Sequence, residues 1–163
     1  MEPGIPQKVF ANATQRQMHA VTPVSLLLVE DSSDDAFFFK RMLKKTGLLC
    51  NFQHASDGGK AVEALELAFK GNGIDRSKPN LIFLDLKMPV MNGFEVLAWI
   101  KGQPFSQELS VIVLSGSDDS SDRLKATELG ARDYLVKPIN AASIQEKIHL
   151  FNSKRDQERK DPS

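Results

Sequence analysis

The sequence is poor in cysteine, balanced in charge and free of long apolar runs. Cys50 is its one cysteine and cannot form an intrachain disulfide. No stretch approaches the roughly 20 apolar residues of a membrane span, and no secretory signal is recognisable. Twenty-one basic residues match 21 acidic ones, so no global field attracts nucleic acid or anionic lipid. These absences argue against a disulfide scaffold, a membrane protein and a basic nucleic-acid binder, and they favour a cytoplasmic location.

The 163 residues are enough for one hydrophobic core and too few for two ordinary domains. Residues 1–23 are rich in proline and polar residues without a sustained helical or alternating pattern, which predicts a disordered leader. Residues 153–163 form a string of mixed charge that indicates a solvated tail continuing the last helix. The predicted folded domain is therefore 24–152.

Four short runs are apolar at every position, and each leads into a chemically useful residue. Runs of this kind are typical of parallel strands that are buried on both faces. A fifth, more polar run at 50–55 predicts a strand at the sheet edge. The four apolar runs are 26–29, 81–84, 111–114 and 134–136, and they lead into Glu30-Asp31, Asp85, Ser115 and Lys137, respectively.

Segments with apolar residues spaced three and four apart separate these runs, which indicates alternating strands and helices. The first helix is expected to begin with Ser32 or Ser33 as its cap. Such alternation predicts a doubly wound α/β fold: a (βα)5 three-layer sandwich, flavodoxin-like, with a parallel five-stranded sheet of order 2-1-3-4-5. The carboxyl ends of the strands lie at one edge of such a sheet, so the polar residues are expected to converge there.

Glu30, Asp31 and Asp85 would repel one another at this edge unless a cation joins them or one is protonated. Oxygen ligands suit Mg²⁺, with Mn²⁺ as the alternative, and do not suit zinc. Because Mg²⁺ keeps coordination positions open for phosphate oxygens, the pattern indicates phosphoryl chemistry. Asp85 is placed as the nucleophile that forms an acyl phosphate, and Ser115 and Lys137 could supply donors to the phosphoryl oxygens.

The motifs resemble the receiver domain of response regulators in bacterial two-component signalling, over about residues 24–152. The resemblance implies that Asp85 accepts a phosphoryl group from a phosphohistidine of a sensor kinase. Asp31 and Asp85 would bind Mg²⁺ through their side chains, Lys87 through its backbone carbonyl, and Glu30 through metal-bound water. The motifs are Val29-Glu30-Asp31, Leu84 to Pro89 with Asn92-Gly93, Leu114-Ser115-Gly116, and Tyr134 to Pro138.

The resemblance also implies how a signal would leave the site. Ser115 would swing toward the phosphoryl group, Lys137 would pair with it, and Tyr134 would rotate inward as the switch reaches the surface. Lys87 and Ser117 are candidates for tuning the rate of dephosphorylation. The Lys137-Pro138 peptide is a candidate for the cis form.

A narrower resemblance, to small standalone regulators paired with bacterial phytochromes, depends on the long polar connection 72–79 and on the lack of a second domain. We expect a phosphoacceptor switch that is not an enzyme, beyond catalysing its own phosphorylation and dephosphorylation. The expected partners are a sensor histidine kinase, a downstream protein or phosphotransfer protein, and a second copy of the chain. Nucleic acid and membrane are not expected partners.

Three alternatives remain open. A phosphatase of the haloacid dehalogenase type would also form an acyl phosphate, but it places a second aspartate where Lys87 stands and carries a cap domain. A DNA-binding regulator would need a recognition helix, and none follows residue 152. A receiver that binds partners without phosphate would not need every acceptor-site residue, which makes this reading less attractive.

Overall fold

A parallel five-stranded sheet lies between two layers of helices in the computed structural model, which describes residues 23–71 and 78–161. The sheet order is β2-β1-β3-β4-β5, as predicted. The predicted leader, apart from Pro23, and most of the predicted polar connection lie outside the described residues. The elements are β1 (Val24–Val29), α1 (Ser33–Lys45), β2 (Cys50–Ala55), α2 (Gly58–Phe69), β3 (Leu81–Asp85), α3 (Gly93–Lys101), a 3₁₀ turn (Ser106–Glu108), β4 (Ser110–Ser115), α4 (Ser120–Glu128), β5 (Asp133–Val136) and α5 (Ala141–Lys160).

The three central strands, β1, β3 and β4, are buried at every position, because helices cover both faces of the sheet. One face packs against α2, α3 and α4, and the other packs against α1 and α5. Strand β2 lies at the sheet edge and is mostly half-buried or exposed, as its polar sequence predicts. The three buried strands therefore form the core that supports the loops at the carboxyl edge.

The helices that follow the strands begin at side-chain caps, which pin the loops between them. Ser32 caps α1, with its hydroxyl accepting from the Asp35 N–H at 3.2 Å. Asn92 forms a capping box with Glu95 at the start of α3, directly after the loop that follows β3. The predicted cap at Ser32 is confirmed.

Strand register brings the predicted polar residues level with one another. Asp85 pairs with Leu114 across β3 and β4, so Ser115 lies one residue beyond that pair. Ser115 in turn pairs with Val136 of β5, and its carbonyl accepts from the Lys137 N–H at 2.7 Å. The side chains named at the strand ends therefore start from a common edge.

Helix α5 extends to Lys160, so most of the tail predicted from residue 153 continues this helix. Its side chains beyond Ser153 are exposed except for the half-buried Arg155. No helix within the described ranges combines the length and apolar character needed to cross a membrane.

Gly93, the first residue of α3, packs directly against the backbone of the residue that ends β3. A Cβ at this position would collide with the Asp85 carbonyl oxygen and would lie 2.8 Å from the Leu86 Cα. Both neighbours are backbone atoms that cannot yield without moving the Asp85 loop. We therefore expect Gly93→Ala to lower the free energy of unfolding by about 1–3 kcal/mol in urea titrations.

Gly102→Ala is the matched control, because the nearest atom to its added Cβ is the Trp99 carbonyl oxygen at an ordinary 3.5 Å. The Gly102 φ of −79° is also accessible to alanine. An equal unfolding midpoint for Gly93→Ala and Gly102→Ala would contradict the close approach of α3 to Asp85.

Candidate functional site

Three carboxylates converge where β1 and β3 end. One carboxylate oxygen from each of Glu30, Asp31 and Asp85 lies within 4.8 Å of the other two. Glu30 and Asp85 are buried, whereas Asp31 is exposed. The sequence predicted this convergence from the strand ends. The set consists of oxygen donors alone, and its buried negative charge fits a hard divalent cation such as Mg²⁺.

Glu30 is fixed by contacts from two directions. Its Oε1 accepts from the Ser32 N–H at 3.1 Å, and its own N–H donates to the Ala55 carbonyl at 3.1 Å. The Nε2 atom of His54 lies 2.9 Å from the Glu30 carbonyl oxygen. This histidine contact depends on the register between β1 and β2, which the sequence alone does not specify.

Lys137 places its ammonium among the acidic side chains. Its Nζ donates to Glu30 Oε2 at 2.7 Å and to Asp35 Oδ2 at 2.9 Å, and it lies 3.6 Å from Asp85 Oδ1. Burial acts to lower the pKa of Lys137, but the hydrogen bonds that it donates to Glu30 and Asp35 and the charge of Asp85 outweigh it. The net pKa is raised, so Lys137 is a permanent cation here.

Asp35 was missed by the sequence analysis. Its position in the first turn of α1 is a weak signal, because acidic residues are common at helix N-termini for electrostatic reasons alone. Only the folded chain shows that this turn of α1 lies beside the loop after β5.

Asp85 carries an unusually high proton affinity for an aspartate. Burial and the negative charge of Glu30 raise its pKa to about 6, although Lys137 and the Lys87 N–H act to lower it. Asp31 raises it further. The Lys87 N–H lies 3.5 Å from Asp85 Oδ1 as a long hydrogen bond. The single ammonium therefore compensates only part of the negative charge, which leaves the site suited to a further cation.

Ser115 and Tyr134 are joined through the loop that follows β4. Ser115 is fully buried, and its hydroxyl accepts from the Ser117 N–H at 3.2 Å. Tyr134 is also buried, and its hydroxyl donates to the Ser117 carbonyl at 2.8 Å. The Arg123 guanidinium lies 4.5 Å from the centre of the Tyr134 ring and pairs with Asp118 at 2.7 Å. The Tyr134 side chain is thus already inward in this structure, whereas the resemblance implied that it would rotate inward on signalling. Arg123 covers it, a contact that the sequence did not indicate.

Lys87 presents its side chain to solvent, and it forms no ion pair with any residue in the described part of the chain. Its backbone N–H nevertheless lies close enough to Asp85 Oδ1 for the long hydrogen bond described above. The Lys137-Pro138 peptide is cis, as the sequence analysis anticipated.

An open groove of about 510 Å³ lies beside Asp31 and is also lined by residues that follow β2 and β3. Val90 stands in this groove, fully exposed, with a φ of 66°. This left-handed conformation is uncommon for a β-branched residue. The groove therefore gives a reactant access to the site from the side of Asp31.

The doubly wound fold and the acidic site at the carboxyl edge of its sheet define an α/β domain with a candidate metal centre, and comparison with known proteins identifies its family. The sequence profile of the response regulator receiver domain matches residues 26–149. The chain therefore belongs to the receiver domain family of two-component signalling. Members of this family act as phosphoacceptor switches and bind Mg²⁺ at an acidic cluster, and Glu30, Asp31 and Asp85 form a group that could hold such an ion.

The relatives include both short and long proteins. Response regulator Rcp1 of Synechocystis is 36% identical over 80% of this chain and 88% of its own length. A probable cyclic di-GMP phosphodiesterase of Vibrio cholerae is 30% identical, but the match spans only 27% of that protein. The solved bacteriophytochrome response regulator AtBRR is 30% identical, with a TM-score of 0.65 over 78% of this chain and 91% of its own.

The raised pKa of Asp85 predicts a stability change with pH in the metal-free protein. Because the folded state holds this proton more tightly than the unfolded state, ionised Asp85 destabilises the fold above about pH 6, and protonation relieves this at lower pH. At about pH 8 we expect Asp85→Asn to be more stable than the parent by about 2 kcal/mol. This difference in unfolding free energy should shrink as the pH falls through 6 and vanish near pH 4. Urea titrations in the presence of chelator measure it.

Asp34→Asn removes an exposed carboxylate from the first turn of α1 and is the control, for which no comparable gain at high pH is expected. A stability difference between Asp85→Asn and the parent that stays constant from about pH 4 to 8 would contradict the destabilised carboxylate.

Proposed function

We propose that the chain is a single-domain response regulator in which Asp85 accepts a phosphoryl group from a sensor histidine kinase in a Mg²⁺-dependent reaction. The observation that carries this proposal is the convergence of buried Asp85 with Glu30, Asp31 and Lys137 at one sheet edge. One nucleophilic carboxylate, two further carboxylates for a metal and one ammonium are the groups that phosphoryl transfer requires.

In the proposed reaction an Asp85 carboxylate oxygen attacks the phosphorus of a phosphohistidine in line with the bond that breaks. The new O–P bond forms as the P–N bond breaks. The electron pair of the P–N bond leaves with the imidazole nitrogen, which takes a proton from solvent. A bound Mg²⁺ would neutralise phosphoryl oxygens. Its proposed holders are the side chains of Asp31 and Asp85, the Lys87 backbone carbonyl and, through metal-bound water, Glu30.

The proposed switch follows from the contacts of Ser115 and Lys137. Lys137 Nζ lies 3.6 Å from Asp85 Oδ1, so a short movement would bring it to a phosphoryl oxygen. Ser115 would turn its hydroxyl away from the Ser117 N–H toward the same group. Because Ser117 also holds the Tyr134 hydroxyl, movement of this loop would alter the surface formed by α4, β5 and α5. Phosphorylation would thus shift a population between two surfaces.

The output is proposed to be protein contact, with a downstream target, a phosphotransfer protein or a second copy of the chain. The likeness to the bacteriophytochrome response regulator AtBRR supports a phytochrome as the cognate kinase. We further propose a cytoplasmic location, with residues 1–23 and 153–163 flanking the receiver domain of residues 24–152.

Incubation with Mg²⁺ and radiolabelled acetyl phosphate tests the acceptor directly. The parent and Asp34→Asn are expected to become labelled, whereas Asp85→Asn and the parent with chelator are not. The two labelled proteins should take up label without sustained release of phosphate, as expected of a phosphoacceptor switch.

Label that survives Asp85→Asn would remove Asp85 as the acceptor. Sustained turnover of a small phosphate ester such as para-nitrophenyl phosphate would instead favour an aspartate-nucleophile phosphatase of the haloacid dehalogenase type. Phosphodonor labelling at Asp85 without any change in partner binding would favour the phosphorylation-independent module.

Lys87 is proposed to slow the loss of the phosphoryl group. Its exposed side chain follows the acceptor by two residues and could cover the path of an attacking water. We expect Lys87→Asn, with a shorter side chain, to dephosphorylate about threefold faster once phosphodonor is removed. Ser117→Ala tests the second rate-tuning candidate in the same assay. Equal rates for Lys87→Asn and the parent would remove Lys87 from this role.

A further inference from the structure

The Lys137 ammonium is shared unequally among its carboxylate partners. The ammonium donates two of its three hydrogens in hydrogen bonds, to Glu30 Oε2 at 2.7 Å and to Asp35 Oδ2 at 2.9 Å from Nζ. Asp85 Oδ1, at 3.6 Å, is beyond ordinary hydrogen-bond distance. The ammonium is thus held closer to the α1 side of the site than to the proposed acceptor.

The two hydrogen-bonded carboxylates differ in how firmly they are placed. The Glu30 side chain is 3% exposed and also accepts from the Ser32 N–H, so it is fixed within the site. The Asp35 side chain is 52% exposed and uses only Lys137 as its partner among the described residues. Asp35 can therefore hold or release the ammonium without disturbing the buried carboxylates.

The surroundings of Lys137 decide where it would go if Asp35 released it. A cavity of about 360 Å³ lies beside Lys137 between α1 and the loop after β5. Apart from Glu30, Asp35 and Lys137 itself, its lining side chains are apolar, namely Leu28, Phe38, Phe39, Leu114, Pro138 and Ile139. With no other polar partner on this side, a released ammonium would move toward Asp85.

We propose that Asp35 is a positioning residue that competes with the phosphoryl group on Asp85 for the Lys137 ammonium. This inference rests on the proposed function and deepens it. While Asp35 holds Lys137, the unphosphorylated form is favoured, because engaging a phosphoryl oxygen requires Lys137 to give up a charge-assisted hydrogen bond. Asp35 thereby sets how readily the site accepts and retains a phosphoryl group.

The chain offers a matched control on the same helical turn. Asp34 and Asp35 both lie in the first turn of α1 and interact similarly with the helix dipole. Asp34 is exposed and forms no ion pair within the described ranges. Asp34→Asn therefore reproduces the loss of helix-terminal charge without the loss of a Lys137 contact.

The test compares the parent with Asp35→Asn, Asp35→Glu and Asp34→Asn. The probe is beryllofluoride, a phosphoryl mimic, added with Mg²⁺ and measured by fluorine NMR. We expect Asp35→Asn to bind it about threefold more tightly, from the modest energy of a half-exposed ion pair. Asp35→Glu should restore parental affinity, and Asp34→Asn should equal the parent. The labelling rate with acetyl phosphate should rise in Asp35→Asn alone.

A second measurement needs neither metal nor phosphodonor. The NMR signal of the Lys137 ammonium, assigned by its loss in Lys137→Arg, should shift in metal-free Asp35→Asn and remain in place in Asp34→Asn. A merely structural role of Asp35 would leave this signal unchanged while altering the unfolding midpoint.

The outcomes separate the two proposals. Parental affinity in Asp35→Asn, or weaker binding than in the parent, would overturn the competition while leaving Asp85 as acceptor. If the parent itself neither binds beryllofluoride nor becomes labelled with Mg²⁺ present, the proposed function fails and this inference fails with it.

Discussion

The central constraint on this molecule is a single ammonium set among four carboxylates. Lys137 contacts Glu30, Asp35 and Asp85, and Asp31 lies in the same cluster. Taking Glu30 and Asp85 out of water costs several kcal/mol each unless charge compensates it. One cation cannot balance this set, and burial together with the negative charge of Glu30 raises the pKa of Asp85. The negative charge of the site is thus only partly balanced, which suits a metal cation, and that cation would in turn offset the charge of an incoming phosphoryl group.

The sheet makes this unfavourable cluster tolerable. Strands β1, β3 and β4 are buried at every position, so the apolar core rather than the site supplies the stability of the fold. The polar residues lie just beyond the core, where caps such as Ser32 and Asn92 hold the connecting loops. With the site side chains placed on a buried sheet, the proposed change of partner by Lys137 would not require its surroundings to unfold.

Hydrogen bonds at the same edge connect the site with a loop at the protein surface. The hydroxyl of Ser115 and the hydroxyl of Tyr134 both meet Ser117, through its N–H and its carbonyl, respectively. Arg123 covers the Tyr134 ring and is tied to Asp118. A rearrangement at Ser115 would therefore alter the β4–α4 loop, because Ser117 in that loop bonds to the side chains of both Ser115 and Tyr134.

The sequence by itself determined the order of elements, the edge character of β2 and the meeting of Glu30, Asp31, Asp85, Ser115 and Lys137 at one edge. Apolar runs and their polar ends are local patterns, and parallel topology converts them into proximity. Only the tertiary structure decided that Asp35 holds Lys137, that His54 meets the Glu30 carbonyl and that Arg123 covers Tyr134. These contacts depend on how helices and strands distant in sequence are set against one another, and exposed Asp, His and Arg side chains carry no local signal of their partners.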